Sequence, residues 1–261
     1  MELDLKGKII WVTGASQGMG FATAKLLAKE GAKVILCARQ QTRLQDAAQS
    51  IAHDTGVKPL AIAADIRSSK AMHDLVQMIL DQEGRLDGIF INGGAPAVGT
   101  LSQLGEKDWQ EAFSMIVMGV VHVLAAALPH MQQGGAVVIN TSNFIRQPLA
   151  SYTLPSTLRL AVAGLIKTTA EEWGGKGIRI NGIAPGYTRT QVVLDWLDSE
   201  AKRLQQPLEQ VEKHYSATIP LGRFADPEEI AAAVAFLLSA KASFIHGTIL
   251  TIDGGESRFP L

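Results

Sequence analysis

Thr13-Gly14-Ala15-Ser16-Gln17-Gly18-Met19-Gly20 follows the apolar run Ile9-Ile10-Trp11-Val12 and opens a helical pattern with Ala22, Leu26 and Leu27 on one face. Without Cβ atoms at Gly14, Gly18 and Gly20 the backbone can turn tightly and approach a pyrophosphate. The helix N-terminus behind the turn offers unpaired N–H groups and a partial positive charge. The Gly-x-x-x-Gly-x-Gly spacing is one form of the dinucleotide-binding fingerprint. It makes Thr13, Gly14, Ser16, Gln17, Gly18, Met19 and Gly20 candidate cofactor-binding residues. A purely structural glycine turn is the alternative, and residues further along the chain argue against it.

Outward from this loop, short β-branched runs alternate with helical patterns. Strands are expected at 8–13, 33–38, 59–64, 88–92, 136–141, 178–183 and 248–252, and helices at 18–31, 41–53, 69–83, 106–128, 155–173 and 227–238. Residues 191–217 are charged and helical. Strict alternation predicts a parallel sheet with helices on both faces, and unbroken apolar strands fit a sheet covered on both sides. The expected fold is therefore α/β: a doubly wound Rossmann fold with a seven-stranded parallel sheet. With 261 residues and no internal repeat or linker, one domain spanning 1–261 is expected.

The bulk composition narrows the partners. A net charge of −1 with no basic run excludes nucleic acid or an anionic membrane as the main partner. The single cysteine, Cys37, excludes an internal disulfide framework; its apolar neighbours read as those of a buried, inert thiol. No signal-like leader is expected in the acidic N-terminus, nor a stretch of about 20 apolar residues that would span a membrane. The expectation is a cytoplasmic protein. The six histidines have no metal-ligand spacing.

At the end of the second strand, Ala38 stands where an NAD site would place a carboxylate for the ribose 2′-hydroxyl. Arg39 beside it offers a cation for a 2′-phosphate. That predicts NADP as cofactor, with NAD possible, and Gln17 in the loop withholds a second charge.

Asp65-Ile66, Ile91-Asn92-Gly93-Gly94, Arg179-Ile180-Asn181, Pro185-Gly186-Tyr187-Thr188-Arg189-Thr190, Ile219-Pro220-Leu221-Gly222-Arg223-Phe224 and Asp253-Gly254-Gly255 follow in order. With the glycine loop, they make the whole chain resemble the short-chain dehydrogenase/reductase family. The resemblance implies that Asp65 and Ile66 hold the adenine and that Asn92 and Gly93, with Gly94 beside them, line the ribose side. It implies further that Thr188 and Thr190, with Pro185 and Gly186, hold the carboxamide. It places a substrate lid at about 191–217 and a homodimer or homotetramer built through the long helix and the helix at 155–173.

The family's chemistry uses a Tyr hydroxyl as acid or base, a Lys four residues on that binds the ribose and lowers the Tyr pKa, a Ser that polarises the carbonyl, and an Asn that anchors a relay water. Aligning Ala161-Val162-Ala163-Gly164-Leu165-Ile166-Lys167 with the family's usual pattern puts the Lys position on Arg159 and the Tyr position on Pro155. The Ser position then falls on Ser142 and the Asn position on Ile116. Arg159 keeps the charge and the ribose-binding capacity but cannot release a proton as lysine can. Tyr152, three residues before Pro155, can reach the same pocket from the loop before the helix, with Thr153 as cap and Pro155 in the first turn. Packing of Tyr152 on the sheet or on another subunit is its alternative. The chain resembles an atypical β-ketoacyl-reductase-like subgroup that lacks the standard tetrad.

The expected function is an NADP-preferring oxidoreductase moving hydride between nicotinamide and a carbonyl or alcohol substrate. Ser142 is expected to polarise the oxygen, Tyr152 to act as acid, and Arg159 to hold the ribose and favour phenolate. The alternatives are a nicotinamide-binding pseudoenzyme or sensor, and a non-redox enzyme such as a dehydratase. His214 and Tyr215 in the lid are further proton-donor candidates. The tail at 257–261 either packs on a neighbour or stays loose.

Overall fold

The computed structural model describes residues 2–259. Its sheet has seven parallel strands in the order β3-β2-β1-β4-β5-β6-β7. These are β1 Ile9–Thr13, β2 Lys33–Ala38, β3 Leu60–Ala63, β4 Gly88–Ile91, β5 Ala136–Asn140, β6 Arg179–Pro185 and β7 Ile249–Ile252. Each lies within a residue or two of its expected place. The strand order reverses between β1 and β4, and the loops leaving that crevice at the carboxyl ends carry the site.

β1 shows how the sheet builds two cores. Ile9 and Trp11 point to one face and Ile10 and Val12 to the other, as a two-residue side-chain period dictates. The first face packs Met72 and Ile79 of α3 (Ser69–Glu83), Val123 of α5 (Gly119–Ala127) and Ile166 of α6 (Thr153–Gly174). The second packs Leu27 of α1 (Gly18–Lys29), Leu44 of α2 (Gln41–Thr55) and Val234 of α9 (Pro227–Leu238). Fully buried aliphatic side chains of this kind stabilise by roughly 1.5–3 kcal/mol each. The core is formed by the two sides of one sheet, so the chain is a single Rossmann-like domain.

Three elements depart from expectation. The helix at 106–128 is interrupted: α4 (Glu106–Phe113) and α5 are joined by a π-helical turn at Ser114–Met118, where Gly119 N–H donates to the Ser114 carbonyl five residues back. Gly119 fits because a Cβ there would lie 2.7 Å from Ile66 Cδ1. The charged stretch is two helices, α7 (Gln191–Leu204) and α8 (Leu208–Ser216), broken where Gln205 takes φ +54° and Pro207 follows. α6 begins at Thr153, so Tyr152 is the helix N-cap residue and Thr153, whose hydroxyl donates to Ala150 O at 3.3 Å, is not the cap.

The expected absence of any long apolar stretch also needs correction. Glu106–His130 runs as 25 helical residues whose best window has mean hydropathy 2.0, enough by length and composition to cross a membrane. Here Val120, Val123, Leu124 and Ala127 lie buried in the first core, and that packing accounts for the hydropathy. At the chain end, Ser257 N–H donates to Asp253 Oδ2 at 2.8 Å and Arg258 N–H to Gln147 Oε1 at 3.3 Å. The tail up to Phe259 therefore folds back on its own chain; Pro260 and Leu261 lie outside the described residues.

Candidate active site

A cleft of about 370 Å³ opens over the carboxyl ends of β1, β2 and β4. It is lined by Gly14, Ser16, Gln17, Gly18, Met19, Arg39, Asp65, Ile66, Asn92, Gly93, Gly94, Arg159 and Thr190, each a candidate read from the sequence. The loop's shape is set by Gly14, at φ +59°, where a Cβ would meet Asn92 O at 2.7 Å. Thr13 and Gly20 do not line the cleft; they lie beneath it. The Thr13 hydroxyl donates to Asn92 O (2.9 Å) and accepts from Asn92 N–H (2.8 Å), tying β1 to β4. Gly20 packs against the Gly14 carbonyl.

At the far edge Arg39 is joined by Arg43 from the first turn of α2, whose Nη1 donates to Gln17 Oε1 at 3.3 Å. Arg43 thus supplies beside Gln17 the second cation that Gln17 itself lacks, a residue the sequence reading passed over. Its signal was present: it lies four positions after Arg39, at the start of a helix. Asp65 is held by Arg67 through two nitrogens (2.6–3.1 Å), which keeps its carboxyl below the usual range. The cleft fits a phosphorylated dinucleotide on two counts. A glycine-formed cradle meets a helix N-terminus at one end, and a pair of guanidinium groups stands at the other.

A second cleft of about 220 Å³ adjoins the first, and Asn140, Arg159 and Thr190 line both. It gathers Ser142, Tyr152, Arg159 of α6, Pro185 at the end of β6, Gly186 and Thr188, residues that span over 40 positions in sequence. Pro155 lines it too, buried in the first turn of α6. Ile116 is buried core within the π-helical turn and does not line either cleft. Phe144, Tyr187 and Trp196 complete the wall, all missed from sequence. Phe144 packs on Tyr152 with ring centroids 4.8 Å apart, and Tyr187 stacks between Trp196 (5.6 Å) and Phe224 (5.0 Å). Those stacks seat α7 against the mouth of the cleft.

Arg159 donates from Nη1 to Thr141 O (2.9 Å) and Asn140 O (3.3 Å). Burial lowers its guanidinium to about 10, so it remains charged at neutral pH. Asn140 Nδ2 donates to Asn92 Oδ1 at 2.9 Å, while its own Oδ1 is buried without a partner among the described residues. An unsatisfied acceptor where the clefts meet is costly unless a ligand donor reaches it. Tyr152 behaves differently from expectation. Burial, with Tyr215 and Glu200 adding to it, pushes its hydroxyl up to about 12, and Arg159 is not among the groups that shift it. The idea that Arg159 favours phenolate is therefore corrected: Tyr152 keeps its proton at neutral pH. Of the lid candidates, the Tyr215 hydroxyl is engaged by Glu200 Oε1 at 2.9 Å, and neither it nor His214 lines the second cleft. Among the described residues no cluster of metal-ligating side chains occurs.

A glycine loop on a doubly wound sheet, opening into a second cleft with hydroxyls and a cation, defines the class of nicotinamide-dependent Rossmann oxidoreductases. A family profile described as "Enoyl-(Acyl carrier protein) reductase" matches residues 14–257, and the chain belongs to the short-chain dehydrogenase/reductase family. It is 34% identical over 96% of both chains to an A-factor type γ-butyrolactone 1′-reductase of Streptomyces virginiae. It is similar to L-sorbose reductase of Gluconobacter frateurii, solved with NADPH and L-sorbose, at TM-score 0.95 and 30% identity over 99% and 100% of the two chains. It is also similar to a short-chain oxidoreductase of Pseudomonas aeruginosa described as containing an atypical catalytic center. That likeness has TM-score 0.90 and 28% identity over 97% and 98% of the two chains.

Proposed function

We propose that this protein is an NADP-preferring oxidoreductase that acts on a carbonyl or alcohol substrate through an altered active site of Ser142, Tyr152 and Arg159. The observation that carries the reading is that Arg159 lines both clefts, while Ser142 and Tyr152 stand in the second. A bound nicotinamide would supply or accept the hydride. Gly14, Gly18 and the α1 N-terminus would hold its phosphates, Arg39 and Arg43 would select the 2′-phosphate, and Arg159 and Asn140 would meet its ribose side. Tyr152 and Ser142 hydrogen-bond the substrate oxygen, with Tyr152 holding the proton that the new alcohol takes up. Because its hydroxyl is pushed up to about 12, Tyr152 is suited to donating a proton in reduction and poorly suited to removing one in oxidation.

The walls around that oxygen are Pro96, Val98, Phe144, Tyr187, Val193 and Trp196, so the substrate is a carbonyl with an apolar or aromatic flank. We assign α7 and α8 as the lid over it. Exposed Phe113 on α4 and Leu160 on α6 support a homodimer or homotetramer formed through those helices.

The test is steady-state NADPH oxidation with an aryl ketone such as propiophenone. Turnover reduced at least tenfold in Ser142→Ala and in Tyr152→Phe is the expected result; unchanged turnover in both would refute these roles. Pro155 at the Tyr position favours a second reading, nicotinamide binding without redox turnover, and saturable binding with no oxidation of any ketone would establish it.

A further inference from the structure

Behind the second cleft lies a carboxyl that the proposed reaction does not use. Glu256 follows β7 in a turn built by Asp253, whose Oδ1 accepts from Gly255 N–H (3.0 Å) and whose Oδ2 accepts from Ser257 N–H (2.8 Å). Gly254 and Gly255 take φ +64° and +87°, conformations that turn the chain back toward β6. The result is a half-buried Glu256 against Gly186, where a Cβ would lie 3.0 Å from Glu256 Oε2. Glu256 Oε2 accepts from Asn143 Nδ2 at 2.9 Å across 113 residues of sequence. Asn143 is only 5% exposed, and its Oδ1 accepts from the Ser142 hydroxyl at 3.2 Å. Ser142 Oγ in turn accepts from Phe144 N–H at 3.3 Å.

The direction of this chain has a chemical consequence. A carboxylate can only accept, so Asn143 must present its NH2 to Glu256 and its carbonyl to Ser142. The one proton of Ser142 is then engaged by Asn143 and is not available to polarise a carbonyl in the cleft. A protonated Glu256 can donate instead. The Asn143 amide can then turn over, with Oδ1 accepting from the carboxylic acid and Nδ2 donating to Ser142 Oγ. That arrangement frees the Ser142 proton for the substrate oxygen.

We propose that Glu256 is a positioning residue which, through the Asn143 amide, sets whether Ser142 offers its proton to the second cleft. The proposal rests on the reading of Ser142 as the polarising group. Burial, reinforced by repulsion from Asp253 on its own turn, raises the Glu256 carboxyl to about 7, against the smaller opposing pull of the Asn143 hydrogen bond. From the segment after β6, Tyr187 faces it; its hydroxyl, also pushed up, stays neutral. The turn at Asn143–Ile145 contributes the uncharged Asn143 amide. Glu256 therefore changes state within the neutral range, and the group it controls is a pocket hydroxyl rather than a surface contact.

The experiment follows the Asn143 side-chain amide by ¹⁵N–¹H NMR in the full-length protein from acid to alkaline pH. Wild type and Glu256→Gln are compared, with matched circular dichroism melts as the control for folding. The Asn143 resonances should titrate with a midpoint near 7 in the wild type and be flat in Glu256→Gln. In parallel, kcat/KM for NADPH-dependent reduction of propiophenone should fall about tenfold per pH unit above that midpoint, an arm that Glu256→Gln removes. An amide that does not titrate, or that titrates equally in Glu256→Gln, overturns the proposal, as does an alkaline arm that survives the substitution. Absence of turnover at every pH with the amide titration intact would instead refute the reductase reading and uphold the Glu256–Asn143 coupling.

Discussion

The proposed NADP preference is assigned to Arg39 and Arg43, which both line the edge of an open cleft. A charge-assisted contact is worth roughly 1.5–3 kcal/mol when well sheltered and less in water, so each substitution to Ala should weaken NADPH binding about tenfold. NADH binding should change little, because it lacks the phosphate; calorimetric titration of both nucleotides checks this. Tyr152 gives a pH prediction with a definite sign. A hydroxyl at about 12 is almost fully protonated at pH 7 and becomes a base only as pH rises. In Glu256→Gln, which removes the Glu256 arm, alcohol oxidation should therefore climb about tenfold per pH unit through pH 8–10 without a plateau, and adding Tyr152→Phe should abolish that slope. Sequence reading offered Ser142, Tyr152 and Arg159 through alignment of one helix and one strand end with the family's pattern, and all three line the second cleft. It could not find Asn143–Glu256, since that pair is joined only when the turn after β7 folds back to the end of β5. The direction of the Tyr152 shift was equally hidden, because burial by Phe144 and the α7–α8 segment sets it.

At the scale of elements, the glycine loop, to which phosphate binding is assigned, also couples β1 to β4 through Asn92. Gly14→Ala would force a left-handed conformation that costs an L-residue roughly 1–2 kcal/mol, and would drive a Cβ into Asn92 O. Urea unfolding should show a loss of at least about 2 kcal/mol, and NADPH binding should vanish with it. The strands were legible because a sheet buried on both faces demands unbroken apolar runs, as in Ile89-Phe90-Ile91. The break in the long helix was not. Ser114–Met118 keeps helical composition, and Gly119, which closes the turn, lies close against Ile66. The break between α7 and α8 was readable at Pro207, which ends one helical pattern before the next begins.

For the whole molecule, the fold class followed from alternation alone, whereas assembly depends on surfaces that one chain does not bury. Phe113 is 46% exposed on α4 and Leu160 56% exposed on α6. Analytical ultracentrifugation should give a dimer or tetramer, and Leu160→Glu should shift it toward smaller species; a monomer at every concentration would contradict the assembly. In the proposed function a cofactor cleft opens into an altered catalytic one, and a single transient-kinetic experiment tests that junction. NADPH fluorescence is followed after mixing enzyme, NADPH and propiophenone. The account predicts a rise on binding, followed by a ketone-dependent decay that slows at least tenfold in Ser142→Ala and Tyr152→Phe. A rise with no decay in the wild type would contradict it, leaving a nucleotide-binding protein without hydride transfer.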